Sequence, residues 1–179
     1  MRPDNDRHAA ETRFHTVFSH LGAVTAYARR RGSKDADAIA AEAMTIAWRR
    51  LADVPRDDPQ PWLYATARNL LYEEARRRKR VAGAAVESEP LAPAPELKEL
   101  DPELRTALLA LSPLDREALL LVAWEDLTPT QAAKTLGINA AAFRVRLLRA
   151  RRRLRARLDE CAADGCATVA VPQLDVEGT

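Results

Sequence analysis

Residues 128–158 read TPTQAAKTLGINAAAFRVRLLRARRRLRARL, and the rest of the chain is organised around this stretch. Thr128 precedes Pro129, and Gln131 lies three places beyond Thr128. That is an N-cap, a proline at the first helical position and a capping-box partner. The pattern predicts a helix through Ala132, Ala133 and Leu136. It stops at Gly137, because glycine takes the left-handed conformation that closes a helix at little steric cost. Ile138 is expected to tuck into the core and Asn139 to cap a second helix. That second helix has two faces. Phe143, Leu147, Ala150, Leu154 and Leu158 recur at three- and four-residue steps and make a buried stripe. Arg144, Arg146, Arg149, Arg151, Arg152, Arg153, Arg155 and Arg157 carry positive charge, with no acid among them before Asp159. Helix, glycine turn and basic helix is the layout of a helix-turn-helix, whose second helix enters the major groove of DNA. The small Ala140, Ala141 and Ala142 at its start allow close approach. A charge run alone would make only a solvated helix. The caps, the turn and the stripe in register favour DNA.

The 179 residues suffice for one ordinary domain or two small ones. Net charge is only +2, yet the sign is segregated. Arg68 and residues 76–80 form one basic block and residues 144–157 the other. Glu87, Glu89, Glu96, Glu99, Asp101 and Glu103 form an acidic belt between them, with Lys98 inside it. Two separated polyanion contacts follow from such segregation. No apolar run is long enough to span a bilayer and residues 1–13 are polar, so a cytoplasmic protein without a membrane segment is expected. Cys161 and Cys166 fit a reducing compartment, and no Cys/His spacing resembles a metal site. His8, His15 and His20 have no nucleophile or carboxylate at a useful spacing, and no glycine-rich phosphate loop is present, which argues against an enzyme. No cofactor is expected.

Abundant Ala and Leu without β-branched runs give an all-α class: two small helical bundles joined by a flexible acidic linker. Residues 1–10 read as disordered. A helix from about Thr12 to Arg31 places Phe14, Val17, Phe18, Leu21, Val24, Ala28 and, at its margin, Tyr27 on one broad face, and Gly32 and Ser33 end it. A second runs from about Lys34 to Leu51, with Ile39, Ala43, Ile46, Ala47 and Trp48 apolar; Trp48 is expected in the core. Residues 53–61, DVPRDDPQP, are a loop with three prolines. Pro61 and Trp62 open a third helix that ends in RRRKR. The first module thus spans 12–80. Residues 81–100, acidic and proline-bearing, are the linker; fully extended, they reach roughly 65 Å at ~3.3 Å per residue. The second module covers 101–160. Leu104, Leu108 and Leu111 start it, and Ser112-Pro113 opens a helix with Leu114, Ala118, Leu121 and Val122 inward. Residues 161–179 form a flexible tail.

Both modules resemble one family, in its order. DADAIAAEAMTIAWRRL and PWLYATARNLLYEEARRRKR resemble region 2 of bacterial RNA polymerase sigma factors of the extracytoplasmic-function (ECF) group, within the sigma-70 family. LSPLDREALLL followed by LTPTQAAKTLGINAAAFRVRLLRARRRL resembles region 4. The resemblance covers about residues 12–158. It implies a polymerase subunit that recognises −10 and −35 promoter elements, with nucleotide addition left to the polymerase. It places clamp binding on the helix with Asp35, Asp37, Glu42, Arg49 and Arg50. It places −10 capture at the Asp53–Pro61 loop, Trp62, Tyr64, Asn69, Arg76 and Arg77, where aromatic faces and cations suit unstacked bases. It places −35 reading on Arg144, Val145, Leu148 and Arg149, with Arg146, Arg151 and Arg153 toward phosphates or neighbouring helices. Residues 115–125 would bear on the polymerase flap, and an anti-sigma factor is an implied partner. Ala38 and Ala41 stand where the family often has an acid and a glutamine. A stand-alone helix-turn-helix regulator is the competing reading. It leaves the PWLYATARN block and the acidic linker without a purpose.

Overall fold

The computed structural model describes residues 3–81 and 100–163. Among them are eight helices: α1 Pro3–Phe18, α2 Leu21–Arg30, α3 Ala36–Arg49, α4 Gln60–Val81, α5 Pro102–Leu109, α6 Pro113–Ala123, α7 Pro129–Leu136 and α8 Ala140–Ala163. α1 to α4 form the first bundle and α5 to α8 the second. The expected linker falls almost wholly outside the described residues, as does most of the expected tail.

Local chemistry sets the helix starts of the second bundle. Three times an N-cap side chain is followed by proline: Asp101-Pro102, Ser112-Pro113 and Thr128-Pro129. The cap oxygen takes an amide hydrogen that has no helical partner, and the proline lacks the amide that would otherwise be orphaned. The Asp101 carboxylate accepts from Glu103 and Leu104, and the Ser112 hydroxyl from Asp115. Arg116 closes the preceding turn. Its guanidinium donates to the carbonyls of Leu108, Leu109 and Leu111 at 3.0, 3.0 and 3.2 Å, satisfying the end of α5.

In the first bundle the expected Thr12–Arg31 helix is two helices. Ser19 Oγ donates to the Thr16 carbonyl at 2.7 Å, and the chain turns there before α2 begins. Such side-chain bonds compete with the helical ladder. The helix also starts earlier than expected. Residues 3–10, read as disordered, lie in α1, where Arg7 and Glu11 pair one turn apart at 3.0 Å. Gly32, at φ 75°, closes α2.

Three apolar side chains stand elsewhere than expected. Trp48 is 44% exposed and meets Phe14 edge-on at 5.0 Å, outside the core. Leu114 is 43% exposed, because Ala118 and Leu121 already fill the inward face of α6. Ile138 lies out of the core, in the turn after Gly137.

The two bundles pack on one another. One continuous core runs from Val24, Tyr27, Leu63, Ala67 and Leu71 to Ala118, Leu121, Ala132, Phe143, Leu147 and Ala150. α7 lies against α4, and the Thr135 hydroxyl donates to the Pro61 carbonyl at 3.3 Å.

Candidate nucleic-acid interface

The helix-turn-helix forms as its residues require. The Thr128 hydroxyl accepts from the Gln131 amide at 3.3 Å, while Gln131 Oε1 accepts from the Thr128 amide at 2.9 Å. Gly137, at φ 67°, closes α7 in the left-handed conformation. Asn139 Oδ1 accepts from the Ala142 amide at 2.7 Å and opens α8. Phe143, Leu147 and Ala150 are buried, so the helical period turns residues 144, 145, 148 and 149 outward. Arg144 and Arg149 are exposed, and between them Val145 and Leu148 are 48% and 50% exposed. Two aliphatic side chains facing water between arginines form a surface suited to base edges: guanidinium for guanine, methyl groups for thymine.

The flanking arginines divide. Arg151 is exposed, whereas Arg146 and Arg153 reach back to Asp115 of α6, Arg146 at 3.3 Å. Asp115 is 3% exposed, so one buried carboxylate holds two arginines placed two helical turns apart on α8. Of the two destinations expected for this pair, the neighbouring helix is occupied here.

In the first bundle the two predicted sets intermix. Asp37, Glu42 and Arg49 are exposed on α3, and Asp35 caps that helix by accepting from the Ala38 amide at 3.0 Å. Arg50 pairs with Asp53 at 2.9 Å and stands 6.0 Å from the Trp62 ring centre, tying the helix end to the loop. Trp62 is half-buried, Asn69 exposed and Tyr64 buried. Arg76 and Arg77 are not beside Trp62 and Tyr64: they lie roughly 20 Å further along the α4 axis. There they line a cleft of about 520 Å³ with Asp35 and Glu42. The structure therefore brings two of the expected −10 arginines to the expected clamp surface.

One constellation escaped the sequence reading. Arg31, 3% exposed, pairs with Glu117 at 3.1 Å and with Glu125, and Arg30 pairs with Glu125. The Tyr27 hydroxyl donates to Glu117 at 3.1 Å. Burial opposes the Arg31 charge, but Glu117, with Glu125, outweighs it and holds the guanidinium charged. Burial first, then the Glu117 carboxylate, push the Tyr27 phenol well above its ordinary value. Gln131 Nε2 adds a bond to Asp58 at 3.1 Å. The signal was Glu117 inside the apolar face of REALLLVAW, an acid where the helix period calls for a core residue. Among the described residues no helix is long and apolar enough to cross a membrane, and no cluster of ligating side chains suits a metal ion.

Family comparison agrees with this geometry. Residues 17–81 match the model for sigma-70 region 2, and residues 102–154 that for sigma-70 region 4. The fold is similar to the sigma factor RpoE in complex with the anti-sigma factor NepR from Bartonella quintana, at TM-score 0.58 and 26% identity, over 81% of this chain and 95% of that one. It is similar to CnrH in complex with the cytosolic domain of CnrY, at TM-score 0.57 and 26% identity, over 82% and 88% of the two chains. The PhyRSL-NepR complex from Sphingomonas sp. Fr1 shares the fold at TM-score 0.56 and 20% identity, over 92% and 96%. A comparison with curated protein sequences finds no match. Two sigma-70 regions in order, on a fold shared with sigma factors over most of its length, place the chain in the sigma-70 family, as a sigma factor of the extracytoplasmic-function type.

Proposed function

We propose that the two bundles divide promoter recognition, α8 taking the −35 element in the major groove and the first bundle taking the melted −10 strand. The observation that carries the first half is the outward Arg144, Val145, Leu148 and Arg149 face of α8, with its aliphatic pair half-exposed. Arg144 and Arg149 bind guanine edges, Val145 and Leu148 thymine methyls, and Arg151 a phosphate. On the first bundle, the Asp53–Pro61 loop, Trp62 and Asn69 receive unstacked bases. Asp35, Asp37, Glu42 and Arg49 contact the polymerase clamp, and the cleft beside them supports adding Arg76 and Arg77 to that contact. Arg50 joins the clamp helix to the loop. Residues 115–125 meet the flap, and the −10 and −35 modules correspond to residues 12–80 and 101–160. The chain works in the cytoplasm with core polymerase and promoter DNA. An anti-sigma factor is a further partner, supported by the NepR complex of the similar RpoE. It performs no catalysis itself and needs no cofactor.

Run-off transcription with core bacterial RNA polymerase over a promoter library tests this reading. Transcripts that start only when the protein is present, downstream of a shared pair of elements, are the expected result. Retained duplex binding without any transcript dependence would replace it with a stand-alone regulator.

A further inference from the structure

α1 begins before the family match does. The region 2 match starts at residue 17, whereas α1 runs from Pro3 to Phe18. Most of this helix therefore lies ahead of the matched residues, and its role has to be read from its own side chains. Val17 is 3% exposed and Phe14 meets Trp48 edge-on at 5.0 Å, so the last turns of α1 are seated on the bundle. Arg13, half-buried beside them, reaches main chain rather than an acid. Its Nη2 donates to the carbonyl of Val54, 41 residues further on.

That carbonyl belongs to the loop of residues 53–61. Pro55, Pro59 and Pro61 bring no amide hydrogen to it, and among the described residues no backbone-to-backbone hydrogen bond is made by residues 54–58. A segment without a ladder takes its shape from side chains. Val54 is 2% exposed, and Pro59 and Pro61 are buried. Arg50 pairs with Asp53, but both are exposed and the pair is worth little. The second bundle adds Gln131 on Asp58 and Thr135 on the Pro61 carbonyl. Within the first bundle, Arg13 supplies a charged donor to a carbonyl that burial would otherwise leave unsatisfied. Between these fixed points Pro55, Arg56 and Asp57 stand exposed.

The place of the Arg13 bond gives it leverage over that tip. The Val54 carbonyl and the Pro55 ring nitrogen share one rigid peptide plane. The ring holds φ of Pro55 at about −65°. One soft torsion, ψ of Pro55, then separates the Arg13 contact from the Arg56 amide. We propose that α1 is part of the −10 recognition machinery, with Arg13 as a positioning residue that holds the Val54 carbonyl and so aims the Arg56–Asp57 tip. The proposal rests on reading the Asp53–Pro61 loop as the receiver of unstacked bases. Arg13 touches no base itself. A tip with one orientation distinguishes base edges, whereas a tip with several keeps its charge and loses its choice. Loss of Arg13 therefore relaxes −10 preference and leaves the outward face of α8 as it was.

Run-off transcription with core bacterial RNA polymerase, over a library randomised at both elements, compares the wild type with R13M and R13K. Methionine keeps an apolar stem without a donor, and lysine keeps a charged donor. R13M is expected to lower the transcript ratio between the best −10 base and the next best about fivefold, part of what one charge-assisted hydrogen bond is worth. The −35 preference and the amount of core polymerase needed for half-maximal output stay unchanged. R13K is expected to recover most of the ratio. A folded R13M with the wild-type −10 ratio overturns the proposal, and so does an R13K no better than R13M. An equal loss on every −10 sequence, with a shallower salt dependence, also overturns it and makes Arg13 a phosphate contact. Relaxation of both elements together overturns it in favour of a role in bundle stability. Should R13M lose its helical circular dichroism, R13Q reads the same contact. Its amide ends two bonds short of the guanidinium nitrogens, so the same relaxation is expected, and an unchanged ratio overturns the proposal. The two levels separate. Protein-dependent transcripts that share a −10 element, with the ratio unmoved in R13M, remove only the role of Arg13. Absence of any dependence on the wild type removes the reading of the loop as well.

Discussion

α4 and α8 run 22 and 24 residues, each carries a block of arginines, and each belongs to a sigma region. Their contact faces differ. The outward face of α8 is bare: Val145 and Leu148 stand half-exposed between Arg144 and Arg149. The first turns of α4 are covered, with Pro61, Leu63 and Tyr64 under α7 and Tyr27. The acids are placed accordingly. Asp115 takes two arginines at the flank of α8 and leaves its outward face open. Glu117 and Glu125 take Arg30 and Arg31 beside the α4 surface and close it. The outward face of α8 is thus accessible, and the first turns of α4 are not. On the roles proposed above, α8 can meet duplex DNA without any change of shape.

The contrast is broken most forcefully at Arg31. Arg31→Ala leaves Glu117 and Glu125 buried with reduced charge compensation, which is expected to cost the closed form about 3–5 kcal/mol. Urea unfolding together with a distance label on each bundle measures it. An unchanged inter-bundle distance would mean that apolar packing alone holds α4 covered. On the other side of the comparison, Arg149→Ala is expected to weaken promoter-specific binding by ~1–3 kcal/mol and to relax one upstream position. A loss equal on every sequence would reassign Arg149 to phosphate.

Tyr27 gives a pH signature that α8 lacks. Its folded pKa is raised above the ordinary 10.0 by burial and by Glu117, and Tyr64 is raised by burial. Stability from a raised phenol is complete below the unfolded pKa and is lost as pH climbs through it toward the folded one. The wild type is thus expected to lose up to about 1.4 kcal/mol per pH unit and tyrosine above pH ~10. Thermal melts of Tyr27→Phe over that window should show a shallower decline, and an identical slope would locate the titration elsewhere. The smallest effect sharpens the comparison most finely. Gln131→Glu keeps a carboxylate oxygen for the Thr128 amide, so the capping box survives. It also sets a charge against Asp58. A shift of about 0.5–1 kcal/mol toward the open form is expected, visible in the distance labels, with α7 helicity unchanged. Melting of α7 instead would show that the cap depends on the Asp58 bond.

These differences track what could be read from the chain. The helix-turn-helix was legible in full outline because caps, turn and stripe are local: Thr128 with Gln131, Gly137, then Asn139 with Ala142. The two-bundle division was legible from the acidic stretch between two basic blocks. The contact between bundles was not, because Arg31 and Glu117 are 86 residues apart and nothing near either residue names the other. Periodicity also failed where a helix face had more apolar residues than the core had room for. Trp48 and Leu114 fit their stripes and still end at the surface. Tyr64 was read as open to a base, and its stacking on Tyr27 depends on how α2 crosses α4, which spacing does not encode.

Asp115 and Glu117 lie two residues apart on α6, about 200° around its axis. One therefore grips α8 and the other grips Arg31 across the bundle contact. α6 is a rod roughly 16 Å long, loaded at opposite sides by the two grips. Mechanically, it stands in series between the first bundle and the recognition helix. A pull that parts the bundles acts on Glu117, and the same rigid turn of helix passes it to Asp115. α6 is thus an element through which a load on the bundle contact reaches Arg146 and Arg153 of α8.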